Sequence, residues 1–271
     1  MFTGATGRPA GCAGRPSRSR GRAAPSESPP CRSPAVNFRL AWRVDFPGIT
    51  DYEATWELQR HLVVLRQQGA VPDVLLLLEH PPVITCGRAT RPEHLPVPRE
   101  TLQRMGFAVF DIERGGSVTY HGPGQLVGYP IVDLRAYDEN VVGYVRMLEE
   151  CVIRTLRPYG IEAARRPGFP GVWVGQEKIA AVGVAVKRRV TLHGFALNVN
   201  TDLDHFRVIN PCGIGYVPTS MQKLLGRPVP MEEVREACAR AFEEVFRVRL
   251  ERVPPHKLGP ERAPAEPLRT S

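Results

Sequence analysis

The sequence predicts an α/β (α+β) protein, a mixed and mostly antiparallel sheet with flanking helices. Three observations predict it. Short apolar runs bounded by turn residues recur along the chain and outnumber the helical repeats. Three longer stretches carry apolar residues at helical spacing. The two kinds of segment are spread through the chain together, so one layered domain is expected, with no internal repeat.

The elements follow in order. Thr50-Asp51-Tyr52-Glu53 has a capping-box pattern, and Tyr52, Trp56, Leu58, Leu62, Val63 and Leu65 give the helix after it an apolar side up to Gly69. Residues 74–78 are a continuous apolar run after Pro72, read as a buried strand. Residues 108–112 and 126–132 predict further strands, the second interrupted by Gly128. A helix is expected over 141–156, closed by Pro158 and Gly160. Residues 179–186 and 190–199 are β-rich and separated by Lys187-Arg188-Arg189, the pattern of an antiparallel hairpin. The last helix is expected over 231–246, with Val234, Cys238, Phe242 and Val245 on one side.

Both ends of the chain read differently from this body. Residues 1–36 are Gly, Pro, Arg, Ser and Ala with almost no large apolar side chains, too little to offset the entropy of ordering. They read as a disordered basic head, ahead of a single catalytic domain over 37–252 and a loose Pro-rich tail over 253–271. An organelle-targeting peptide is the competing reading of the head, although its prolines and glycines oppose the amphipathic helix such peptides form. A third reading starts the working protein near Val36.

The net charge of +8 falls mainly on those ends. The head has six arginines and one acid, and from Arg252 onward four basic residues face two acidic ones, which leaves the body at +1. That distribution argues against a dedicated nucleic-acid binder. No apolar run has the ~20 residues of a membrane helix, so a soluble protein is expected. The six cysteines form no CxxC pair, and a reducing cytoplasm suits them better than a disulfide framework. Cys86, Cys151, Cys238 and Trp173 read as packing residues.

Several chemical classes lack their signals. There is no GxxxxGK[ST] phosphate loop. The glycines of Gly122-Pro123-Gly124-Gln125-Leu126-Val127-Gly128 have the wrong spacing for a dinucleotide fingerprint. Asp202, Asp204 and His205 read as a capped turn, and no metal is expected.

Three segments carry chemistry. In Arg114-Gly115-Gly116-Ser117-Val118-Thr119-Tyr120-His121, followed by Gly122-Pro123-Gly124-Gln125, glycine-rich turns flank a short polar and aromatic strand. Backbone there can approach a ligand that side chains would otherwise block; an ordinary hairpin is the bland reading. Asn210-Pro211-Cys212-Gly213 puts a cysteine on a turn, where its sulfur can project. Lys178 opens an apolar small-residue strand, Ile179-Ala180-Ala181-Val182-Gly183, either at a sheet edge or held for a purpose.

These segments resemble the lipoate-protein ligase B family, the octanoyl-carrier-protein:protein octanoyltransferases. The resemblance covers roughly residues 36–250 and adds Leu78-Glu79-His80-Pro81-Pro82-Val83, Gly87-Arg88 and His193-Gly194-Phe195-Ala196-Leu197-Asn198. It implies the fold shared by biotin and lipoate ligases. It implies transfer of an octanoyl group from acyl carrier protein to a lysine of lipoyl domains, those of 2-oxoacid dehydrogenase complexes and of the glycine cleavage H protein, without a cofactor. Carried onto this chain, Cys212 is the acyl-thioester nucleophile and Lys178 lowers its pKa. Arg114, Gly115, Gly116, Ser117, Val118, Thr119, Tyr120, His121, Ala181, Val182, Gly183, Gly194, Phe195 and Ala196 line the acyl pocket. Backbone N–H groups near Cys212 and the Gly115–Thr119 turn are expected to serve an oxyanion, and His121 rivals Lys178 as the base of the second step. The competing readings are an ATP-dependent lipoate ligase, a cysteine-dependent acyl hydrolase and a non-catalytic module that binds acyl carrier protein or nucleic acid.

Overall fold

Apolar continuity decides the centre of the sheet. β2 (Asp73–Glu79) is buried along almost its whole length because both of its faces are covered. It runs parallel to β1 (Arg39–Ile49) and antiparallel to β6 (Gln125–Ile131). The sheet continues antiparallel from β6 through β10 (Val190–Asn198), β9 (Glu177–Lys187), β8 (Phe169–Val174) and β7 (Ala164–Arg166). On the other side β12 (Val248–Arg252) joins β1 in parallel, and the two-residue β11 (Val217–Pro218) lies parallel to the start of β9. Among the described residues the main sheet is therefore nine-stranded, mixed and mostly antiparallel. The structure, a computed structural model, describes residues 38–137, 140–211 and 216–259. The head read over 1–36 lies outside the described residues.

Helices cover both faces. α1 (Tyr52–Gln67) packs on β6 and β10, and Leu62 and Val63 join Val44, Leu76, Leu78, Val127 and Leu192 in one core. Its N-cap is Asp51, one residue later than the capping-box reading, whose carboxylate accepts the Ala54 N–H at 2.8 Å. α3 (Val141–Leu156) and α5 (Met231–Phe246) pack on each other and on the opposite face, closing a second core around Leu75, Leu77, Leu126 and Phe195. Cys151 and Cys238 are buried there, the packing role the sequence predicts. Asn140 caps α3 by accepting from Val142 and Gly143 N–H.

A second, three-stranded sheet is not evident from the sequence. β3 (Val83–Cys86) lies between β4 (Ala108–Asp111) and β5 (Val118–His121), with α2 (Arg99–Arg104) beside it. The remaining short helix, α4 (Met221–Leu225), follows β11.

One boundary differs from expectation. The packed body does not stop at residue 252, because Val253 donates its N–H to Arg43 O at 2.9 Å and both Val253 and Leu258 are buried beside α1. These two apolar side chains outweigh the local proline content. Residues 260–271 lie outside the described residues.

Gly128, read as an interruption of its strand, has a packing reason. A Cβ at this position would overlap the ring of Phe195, its partner on β10. Gly128→Ala is expected to lose about 1–3 kcal/mol of stability by overpacking, measured as a lower urea midpoint with an unchanged slope.

Candidate active site

The small sheet faces the β9–β10 hairpin of the main sheet, and a cavity of about 310 Å³ lies between them. Arg114 fixes this arrangement. It is 6% exposed, and its Nη2 donates to Thr85 O at 2.7 Å and to Thr85 Oγ1 at 2.9 Å on β3. The next residue, Gly115, donates its N–H to Val184 O of β9 at 2.8 Å. Glu113 adds a third tie: its carboxylate receives Trp56 Nε1 at 3.0 Å and Lys187 Nζ at 3.2 Å. Burial alone would raise the Glu113 pKa, but contacts with His193 and Lys187 win and hold it well below the usual carboxylate range.

Arg114, Gly115, Gly116, Ser117, Val118, Thr119, His121, Ala181, Val182, Gly183, Gly194, Phe195 and Ala196 all line this cavity, together with Lys178. Tyr120 does not. Alternation along β5 turns its ring to the other face, where its hydroxyl bonds His205 Nδ1 at 2.7 Å and its ring packs against Phe107 and Phe206. Its place among the pocket residues is corrected accordingly. The Gly115 N–H is also engaged with Val184, so it is not a spare donor for an oxyanion.

Lys178 is not at a sheet edge. It pairs with Trp173 of β8 on one side, while Pro218 of β11 lies beside it. Its Nζ lies 5.4 Å from the centroid of the Trp173 ring and 5.0 Å from that of Tyr216, a cation held between two π faces. Cys212 lies outside the described residues. The residues flanking segment 212–215, Pro211 and Tyr216, both line the cavity.

Sequence reasoning missed four further rings here, Tyr52, Tyr129, His193 and Tyr216, all on the cavity wall. His193 has φ +59° inside β10, and its N–H donates to Gln59 Oε1 of α1 at 2.8 Å. A histidine amid an otherwise apolar strand is the signal that was available. Tyr52 was read only as part of an apolar helix side; its hydroxyl is buried with no hydrogen-bond partner among the described residues.

The tautomers of the two innermost histidines follow from their partners. His80 Nδ1 donates to Thr50 O at 2.8 Å, so Nε2 accepts from Tyr129 OH at 2.9 Å. The Gln125 amide nitrogen donates to Asn198 Oδ1, which leaves Gln125 Oε1 to accept from His121 Nδ1 at 2.8 Å. Burial lowers the pKa of His80 to about 4 and that of His121 to about 3. Both rings are neutral near pH 7, and neither ring has the basicity of a general base poised near that pH.

Residues 51–243 match the family described as the lipoyl protein ligase A/B catalytic domain. The chain is 53% identical over 199 residues to the octanoyltransferase of Solibacter usitatus, covering 73% of this chain and 90% of that one. It is 48% identical over 201 residues to the octanoyltransferase of Desulforamulus reducens, covering 73% and 88%. Among solved structures it is similar to lipoate-protein ligase A bound with ATP, with a TM-score of 0.61, 20% identity, and coverage of 80% of this chain and 88% of that one. A lipoate-protein ligase of Thermoplasma acidophilum with bound lipoic acid gives 0.61 at 18% identity, with coverage of 80% and 90%. The family match, with the fold agreeing, thus defines a lipoyl protein ligase A/B catalytic domain. Within that class, the chain belongs to the lipoate-protein ligase B family.

The buried histidines make stability depend on pH. Each binds a proton in the unfolded chain near pH 6.5 but resists protonation when folded until about pH 4 or below. The unfolded state therefore takes up more protons across this window, and stability falls as pH drops from about 6.5 toward 4. Urea unfolding between pH 7.5 and 4.5 is expected to show this loss, and His80→Gln is expected to flatten the slope.

Proposed function

We propose that this protein transfers an octanoyl group from acyl carrier protein to a lysine ε-amine of lipoyl domains, through a thioester on Cys212. The acceptors in this reading are lipoyl domains of 2-oxoacid dehydrogenase complexes and the glycine cleavage H protein. The observation that carries it is convergence on one cavity: the Arg114 loop, the β9–β10 wall, Lys178, and both flanks of the Cys212 segment all border the same space. Relatives named octanoyltransferase, about half identical to this chain, supply the acyl group of the reading. A cytoplasmic setting suits a free nucleophilic thiol.

The chemistry balances without nucleotide. The Lys178 ammonium favours the thiolate of Cys212 over the thiol, whose ordinary pKa is about 8.5. The thiolate attacks the donor thioester carbonyl, a new C–S bond forms, and the carrier thiolate leaves with a proton from solvent. The incoming amine then attacks the Cys212 thioester; its C–N bond forms, the C–S bond breaks, and the thiolate returns. Once Cys212 is acylated, Lys178 no longer faces an anion, releases its own proton to solvent, and as the neutral amine accepts the proton that the attacking amine gives up. His121 is the weaker rival, since burial holds its pKa at about 3.

An ATP-dependent ligase is the second reading, favoured by the fold likeness to ATP-bound ligase A. Intact-mass analysis after mixing with octanoyl-carrier protein separates the two. The full chain is expected to gain one octanoyl group without ATP, and Cys212→Ala to gain none. Lys178→Met is expected to slow acylation by about 10²–10⁴-fold and to slow aminolysis as well. Aminolysis at the wild-type rate in that variant would remove Lys178 from the second step.

A further inference from the structure

Lys178 is a long, flexible side chain, and a cation left to itself samples many rotamers. Its effect on a neighbouring thiolate falls with distance, so something must hold the stem. The structure places backbone directly against it. Gly171 of β8 has φ +122°, and a Cβ there would stand 2.5 Å from Lys178 Cε, 3.2 Å from Nζ and 2.5 Å from Ala180 O. Any other residue would both strain the backbone and push into the lysine. The register between β8 and β9 shifts at this point, between Val172 and Trp173.

A buried carboxylate keeps that glycine in place. Glu149, on α3 and 6% exposed, accepts the Gly171 N–H at Oε1 over 2.8 Å. Its other oxygen lies 3.3 Å from Arg165 Nε on β7. Arg165 in turn donates to Glu150 Oε2 at 2.8 Å and to Arg146 O at 2.9 Å, both on α3. The helix thus grips both strands of the β7–β8 hairpin. Burying a carboxylate for packing alone is unfavourable, whereas this one fixes a strand segment that shapes the space of a single lysine.

We propose that Glu149 and Gly171 are positioning residues for Lys178: helix α3 pins the β7–β8 hairpin through Glu149, and the bare Cα of Gly171 sets where the lysine cation rests. The inference builds on the reading of Lys178 as the group that lowers the Cys212 pKa.

The test measures the pH dependence of iodoacetamide alkylation at Cys212 in the full chain, scored on the Cys212 peptide by mass mapping. In Lys178→Met the apparent thiol pKa is expected to rise toward its ordinary value. Gly171→Ala and Glu149→Ala are expected to move it the same way by about one unit, roughly a tenfold slower alkylation near pH 6.5. Glu149→Gln, which retains an acceptor for the Gly171 N–H, is expected to stay closer to wild type. If Lys178→Met shifts the thiol while Gly171→Ala and Glu149→Ala titrate as wild type, the positioning role is overturned and that of Lys178 stands. If Lys178→Met itself titrates as wild type, the reading beneath the proposal fails, and the proposal with it. Should Gly171→Ala not fold, Glu149→Ala decides, since it loosens the grip without inserting an atom.

Discussion

Arg114 docks against a stretch of sheet stripped of side chains, and the rest of the site depends on that contact. Gly183 and Gly194 face each other across β9 and β10. A Cβ on Gly183 would stand 3.0 Å from Arg114 Cδ and 3.2 Å from Gly115 O. Gly194 is as constrained on its other side, where Pro130 Cδ would be 2.7 Å from an added Cβ. With this strip bare, the loop reaches Val184 by a backbone hydrogen bond, and the guanidinium fastens the loop to Thr85. The small sheet is thereby held off the large one at a distance that leaves a cavity. A buried guanidinium is tolerated here because its donors are met by hydroxyl and carbonyl oxygens.

The cavity wall separates two electrostatic settings. Around His80, His121 and Tyr129 the rings hydrogen-bond to one another or to neutral groups, and burial keeps both histidines uncharged. At Lys178 a cation rests between aromatic faces that stabilise it by their quadrupoles. The two histidines thus add no charge of their own near pH 7, whereas Lys178 places a cation where β9 opens.

Much of the fold was legible because its elements are decided locally. α3 and α5 occupy the spans given by their apolar periodicity, and the β9–β10 hairpin follows from β-branched runs flanking Lys187-Arg188-Arg189. The three-stranded sheet was not legible, since β3 and β4 pair across a parallel crossover and β4 is only half-buried. The glycines expected to let backbone approach, Gly115, Gly116, Gly183 and Gly194, do border the cavity. Tyr120 does not, because which face of a short strand turns inward is a tertiary matter. Tyr52, Gly171 and Glu149 were missed for a related reason: a tyrosine on an apolar helix side, a strand glycine and a helix carboxylate look ordinary until the fold sets Tyr52 against His121, Gly171 against Lys178 and Glu149 against Gly171.

The proposed reaction turns on electrostatic coupling between Lys178 and Cys212. Its most direct test is an NMR titration of protein carrying ¹⁵N-lysine and ¹³Cβ-cysteine, following both side chains across pH 5–11. If the two groups are coupled, the two signals move together, each reporting the other's ionisation through shared macroscopic pKa values. Independent curves, with the Cys212 signal turning near 8.5 and the Lys178 signal near 10.4, would contradict it.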